Sequence, residues 1–207
     1  MINKLISIVF FVGIMVCTWL MLKITIPYFT FDYDVDFLLT KQAILHSDIW
    51  RWSFYIHIST SLVVLFLGVF QFVKLILNKF PKFHRNLGKI YILSILILSA
   101  PSGLVMAFYA NGGIWAKLSF LILSLLWWIF TCIAYLKIVK GEIQSHIAFM
   151  IRSYGLTLSA LTLRTYVVAL PLFLHLHGKE MYVLVAWLSW IPNLIISEFL
   201  IKRKVFK

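Results

Sequence analysis

The sequence predicts an all-α, polytopic membrane helical bundle of six transmembrane helices, with spans two to five as a four-helix core. Three observations carry that prediction. Hydrophobic residues fill 62% of the 207 positions and charged residues only 13%, with a mean hydropathy of +0.97, whereas a soluble domain is about half apolar. The apolar residues gather in six windows, each near the roughly 20 residues that a bilayer crossing requires. Little polypeptide remains between the windows, so residues 1–207 read as a single integral membrane domain whose chemistry must lie in the bundle or its short loops.

The first window, Leu5 to Ile26, follows a short basic start and could be mistaken for a secretion signal. No small-x-small cleavage site follows, and Val16 before Cys17 is too large for a lipoprotein-type site, so it reads as a retained span. Residues Pro27 to Trp52 form the one long outer connection, in which Thr40 to Trp50 could lie along the interface as a short helix. Its alternating Asp32, Asp34 and Asp36 invite a calcium reading. That reading fails because Phe37 and Ala43 stand where an EF-hand loop needs Gly and Glu.

The second window, Ser53 to Leu77, carries His57, Ser61, Val64, Gly68 and Gln71 on one helical face. A compact basic loop, Asn78 to Asn86, leads to the third, Leu87 to Ala110, where His84, Gly88, Tyr91, Ile95, Leu98 and Ser102 align. A tight Gly112-Gly113 turn precedes the fourth, Ile114 to Leu136, with Lys117, Leu121, Ser124, Trp128, Thr131 and Tyr135 on a stripe. The fifth, Ile147 to Leu174, continues from His146 through Met150, Ser153, Thr157 and Ala160 to Arg164. Four successive polar or small stripes imply one shared interior. The sixth window, Met181 to Ile201, is mostly apolar apart from Trp187, Trp190, Asn193 and a Glu198 to Lys202 pair, and reads as peripheral.

Orientation follows from Lys and Arg. Placing both termini in the cytoplasm puts Lys74, Lys79, Lys82, Arg85, Lys89, Lys137, Lys140 and the C-terminal basic cluster inside, which predicts a multi-pass protein of the cytoplasmic (inner) membrane. The net charge of +12 is then largely a cytoplasmic-face charge, suited to anionic lipid headgroups and not to nucleic acid. Cys17 and Cys132 lie at different depths, ~10 Å apart along the membrane normal, and read as free thiols.

Two histidines open outward-running helices at a matching depth, His84 and His146, and polar rings in a membrane chain require partners. Gln71 and Tyr135 reach a similar level, Arg152 lies about two turns deeper than His146, and Arg85 and Lys89 stand at the mouth. Three readings remain open for the pair: axial ligands of a b-type haem, with nearby Arg or Lys holding its propionates; a non-haem metal site; or helix caps bonded to loop backbone. The near absence of carboxylates in the spans disfavours a hard cation or a di-iron centre. His57 and Arg164, the latter ~18 Å further out than Arg152, form a second, outer group. His175 and His177 suggest a metal pair only weakly, because solvated loop histidines share the pattern; His46 reads as loop. There is no Gly-rich phosphate loop and no nucleophile paired with a His and an Asp.

From His57 onward, the order of marks resembles a bacterial membrane family known as domain-of-unknown-function family 2306. The residues that carry the resemblance are His57, Gln71, His84-Arg85, Gly88, Tyr91, Trp128, His146, Met150, Arg152-Ser153-Tyr154 and Arg164, over roughly residues 50–170, with Phe149 where the family favours Trp. The family has no settled activity, so the resemblance implies a helical membrane fold and points to these residues without naming a reaction. The plan is also loosely similar to b561-type membrane cytochromes, an architectural analogy. The expectation is a haem b or quinone-like redox cofactor held by His84, His146, His57, Arg152, Arg164, Gln71, Tyr91 and Arg85, as part of a membrane oxidoreductase. The alternatives are a small transporter or lipid- and anion-binding protein, or a noncatalytic subunit of a larger complex.

Overall fold

A computed structural model describes residues 2–176 and 178–205, with side chains described from residue 8 onward. Among the described residues every regular element is helical. Lipid offers the backbone no hydrogen-bond partner, so a chain this apolar satisfies its N–H and C=O groups within helices. The helices are α1 (Ile2–Thr25), α2 (Asp48–Phe70), α3 (Lys74–Lys79), α4 (Pro81–Leu93), α5 (Ala100–Phe108), α6 (Ile114–Val139), α7 (Ile143–Thr157), α8 (Ser159–Ala169), α9 (Gly178–Leu188) and α10 (Ile191–Lys202). They combine into six runs long and apolar enough to cross a membrane: Ile8–Thr30, Asp48–Phe70, Pro81–Phe108, Ile114–Val139, Ile143–Leu172 and Gly178–Lys202.

Local chemistry moves several boundaries away from the hydropathy windows. Span two starts at Asp48, not Ser53, because the Ser47 hydroxyl caps the helix by accepting from the Trp50 N–H at 3.4 Å. It ends at Phe70, not Leu77; Gln71 closes it, and the rest of the window forms the separate short helix α3. Span three begins at Pro81, six residues before Leu87, since proline at a helix start lacks only an N–H that would have no helical partner.

Three spans are interrupted, and each break has a chemical cause. A π-helical segment, Ser94–Ser99, joins α4 to α5 immediately before Pro101, whose missing N–H cannot reach Ile97. This shifts the buried face: Leu98 of the expected stripe turns outward, 40% exposed, and Ser99 takes the interior position, fully buried. Between α7 and α8 the Thr162 hydroxyl reaches back toward Leu158 O and Ser159 O, a pattern found at helix bends, while its shortest contact is Ser189 O of span six. Pro192 separates α9 from α10 in the same way as Pro101.

Spans two to five close a ring: α2 packs on α4, the π segment and α5, α5 on α6, α6 on α7, and α7 back on α2. Span one lies outside against α2, leaving an apolar, lipid-facing groove of about 300 Å³ lined by Met15, Trp19, Leu22, Leu62 and Phe66, among others. Span six also packs outside, but the reading of it as a peripheral apolar helix is corrected. Ser189, Ala186 and Ser197 are buried. Ser119 of α6 donates to Ala186 O and accepts from the Trp190 indole, both at 2.9 Å, and Asn193 donates to Thr162 at 3.1 Å.

The bundle end opposite the termini, the far end, is capped by the long connection. The expected interfacial helix at Thr40 to Trp50 is instead a 3-10 helix over Asp36–Ile44. Its Leu38 joins Leu45, Trp50, Phe54 and Tyr55 in an aromatic cluster. Gly112 and Gly113, at φ 84° and 79°, make the turn that presents Asn111 to this cap. Lys41 is 4% exposed and donates to Tyr109 O and Asn111 Oδ1, both at 2.6 Å.

Loss of solvent, then the charge of Lys117, pulls the Lys41 ammonium down to about 8 from its usual 10.5. The neutral amine keeps two N–H donors, enough for both acceptors. Between those two pH values the unfolded chain holds a proton that the folded cap has released, so unfolding takes up protons and stability rises with pH. Melting in detergent should therefore climb from pH 7.5 to about 10 more steeply in the wild type than in Lys41→Met. Parallel pH profiles for the two proteins would refute the assignment.

Candidate functional site

At mid-depth the ring is filled by a hydrogen-bonded knot. The Tyr91 hydroxyl lies 3.0 Å from both Ser153 Oγ and Thr157 Oγ1. Thr131 sits 2.7 Å from Ser153 and donates to Trp127 O; Thr157 donates to Ser153 O and accepts from the Trp127 indole at 3.0 Å. The hydrogens can be placed without conflict. Thr131 spends its proton on Trp127 O, so Ser153 must donate to Thr131, which leaves the Tyr91 proton shared between Ser153 and Thr157. Every member is satisfied and Tyr91 is fully buried, so the knot ties spans three, four and five together with the Tyr91 hydroxyl engaged inside it.

Polar groups are left over at the end that carries the termini. Gln71 closes α2 with its carboxamide lying against α4 at Gly88, where a β-carbon would stand only 3.1 Å from Gln71 Oε1. Gln71 Nε2 is buried and meets no hydrogen-bond partner among the described residues. One turn before Gly88, His84 Nδ1 is equally buried and unpartnered. His146 of α7 lies close enough to His84 to interact electrostatically. Its Nδ1 sits 2.8 Å from Ala134 O, and a carbonyl only accepts, so Nδ1 carries the proton and Nε2 presents a lone pair.

The structure thus brings together Gln71, His84 and His146 of the expected inner group and separates the others. Arg152 turns to span six, where Nε and Nη2 meet Glu198 Oε1 and Oε2 at 2.5 and 2.9 Å, with Phe149 beneath its guanidinium. Glu198, expected to pair with Lys202, pairs with Arg152. Tyr135 points outward, 46% exposed, and Trp128 bonds to Leu96 O on the bundle flank while its neighbour Trp127 turns inside. Arg85 is exposed at the mouth. His175 is exposed, His177 lies outside the described residues, and no group of three or more metal-binding side chains occurs among the described residues. Both cysteines are free.

The outer group shares no hydrogen bond, although His57 and Arg164 lie within electrostatic reach of each other. His57 Nδ1 donates to Ser99 O at 2.8 Å, the ring fitting against Gly103, and Arg164 makes one hydrogen bond, to Ala160 O of its own helix at 3.0 Å. Sequence reasoning missed the Trp127 and Ser119 positions of α6. The available signal was small residues at helical spacing, Ala116, Ser119, Thr131 and Ala134, where polar ones were sought.

A closed ring of apolar spans, flanked by two more and holding a small polar site at one mouth, defines a multi-pass helical-bundle membrane protein in contact with the lipid bilayer. Residues 54–201 match the model of the predicted membrane protein family DUF2306, and the chain belongs to that family. No curated protein and no solved structure matches it.

Proposed function

We propose that the mouth formed by Gln71, His84 and His146 binds a redox cofactor, with a quinone-like headgroup as the leading candidate and haem b as the second. The observation that supports this is that two of the four buried side-chain atoms without a partner among the described residues, Gln71 Nε2 and His84 Nδ1, lie at this one mouth. Leaving such groups unmade costs about 1–3 kcal/mol each, a cost that a bound partner removes. Gln71 Nε2 can only donate and so calls for an acceptor oxygen; His146 Nε2 can only accept and so suits a hydroxyl. A headgroup that cycles between carbonyl and hydroxyl satisfies both, supplying two-electron redox chemistry while these side chains orient it and hold its protons. Haem is supported by the His146 lone pair beside His84, although iron ligation would leave the Gln71 donor unmade, and toward mid-depth the Tyr91 and Tyr154 rings fill the interior.

In this reading the face bearing the termini is cytoplasmic, and its exposed Lys79, Lys82, Arg85 and Lys89 lie among anionic headgroups of the inner membrane. Gently purified protein is expected to carry near one equivalent of extractable quinone, and Gln71→Leu should weaken its retention about tenfold. A Soret band that shifts on reduction would exchange quinone for haem. Protein carrying neither, and binding neither when supplied, would end the cofactor reading in favour of a carrier or a noncatalytic subunit.

A further inference from the structure

Arg164 stands in span five about 12 Å short of its far end at Leu172, a depth at which lipid cannot compensate a charge. Arginines so placed usually snorkel outward to the headgroups. This one does not. Its bond to Ala160 O, four residues back toward the terminal face, draws the guanidinium toward the bilayer centre. The described ion pairs are Arg51 with Asp48, Lys137 with Glu142 and Arg152 with Glu198, so no described carboxylate answers Arg164. Of its five donors, four meet no described acceptor.

Two other groups converge on the same place. Tyr28, just beyond α1, and His57 of α2 both lie within electrostatic reach of the guanidinium. The Tyr28 oxygen accepts from the Phe37 N–H at 3.3 Å, while its own O–H donates to no described group. His57 is committed through Nδ1 to Ser99 O and takes a long 3.4 Å contact from Ser61 at Nε2. The cluster therefore presents a planar fork and a hydroxyl, all donors, around one formal positive charge. Arg164 is exposed on the flank of the bundle, so the approach is from lipid and not from water.

We propose that Arg164 and the Tyr28 hydroxyl together bind the monoanionic group, a carboxylate or a phosphodiester, of an amphipathic molecule that enters sideways from the bilayer. One guanidinium matches one negative charge, and its fork fits two oxygens of either group. The tail of the ligand stays in hydrocarbon, so a soluble anion of the same charge should bind poorly. The site lies at the opposite end of the bundle from Gln71, His84 and His146, and stands or falls independently of that reading.

Native mass spectrometry in a neutral detergent tests it, with oleate, phosphatidylglycerol, monoolein and inorganic phosphate as probes. Wild-type protein should retain one equivalent of oleate or phosphatidylglycerol, and the tighter of the two identifies a free acid or a lipid headgroup. Arg164→Leu and Arg164→Gln should each weaken that binding by at least about tenfold, and Tyr28→Phe by about threefold, with melting midpoints kept. If the Leu variant does not fold, the Gln and Phe variants carry the comparison, since Gln keeps a polar hydrogen-bonding side chain and Phe keeps the ring. Retention by the Gln variant within about twofold of wild type, equal binding of monoolein, or equal binding of inorganic phosphate would overturn the proposal.

Discussion

Gly68→Ala is expected to destabilise the bundle by about 2 kcal/mol, although alanine is the better helix former by roughly 1 kcal/mol. A β-carbon at Gly68 would stand 2.3 and 2.5 Å from two carbons of the Tyr154 ring and 2.9 Å from Tyr91. Neither ring is free to yield. Tyr154 donates to Leu65 O at 3.3 Å and packs on Phe72, while Tyr91 is held by the Ser153 and Thr157 bonds. Overpacking of this kind costs about 3 kcal/mol, which outweighs the helical gain. Thermal unfolding in detergent would read the loss, and Tyr154→Leu in the same chain should recover most of it by vacating the space. An alanine variant that melts with the wild type would mean that spans two, three and five do not approach as closely as described.

Composition made the fold legible, because an apolar run of bilayer length has little choice but helix. The six spans and the ring of spans two to five were readable from hydropathy and from stripes through His57, Tyr91 and Ser153. What stayed hidden were the interruptions. Periodicity assumes 3.6 residues per turn throughout, and the π segment before Pro101 breaks that period locally, so Leu98 was expected where Ser99 lies while Ser102 stays buried as expected. The same assumption carried the span-five stripe straight to Arg164 across the bend at Leu158. Span six looked inert because its polar side chains are few. Each of Trp190, Asn193 and Glu198 nevertheless finds a partner on spans four and five.

The site was legible in its residue types and only partly in its membership. Helix rise fixes level, and Gln71, His84 and His146 all lie at the end that carries the termini. Depth says nothing of azimuth, which is why Tyr135, at the right height, and Arg152, about two turns deeper, turn to lipid and to span six instead. Tyr91 was drawn into the site by its polarity, but its hydroxyl is engaged by two small residues of α7, Ser153 and Thr157, with Thr131 of α6 bonded in turn to Ser153.

Arg152 and Glu198 should each be more damaging to remove alone than both together. The pair is bidentate and joins span five to span six, with the arginine side chain 20% exposed and the glutamate 41%. That exposure discounts the Coulombic gain, so Arg152→Leu is expected to cost about 2 kcal/mol and not the roughly 3–5 kcal/mol of a fully buried pair. Most of that loss comes from stranding the Glu198 carboxylate against α7, whereas the double Leu variant strands nothing and should lie within about 1 kcal/mol of wild type. Arg152→Lys should fall between, since an ammonium cannot meet both oxygens in one plane. Strict additivity of the two single variants would show that the ion pair contributes nothing. Ligand retention separates this structural tie from a binding role: if the Gln71 mouth holds the proposed cofactor, a double variant that retains it leaves Arg152 as a link between spans, and its loss with stability intact would return Arg152 to the binding residues.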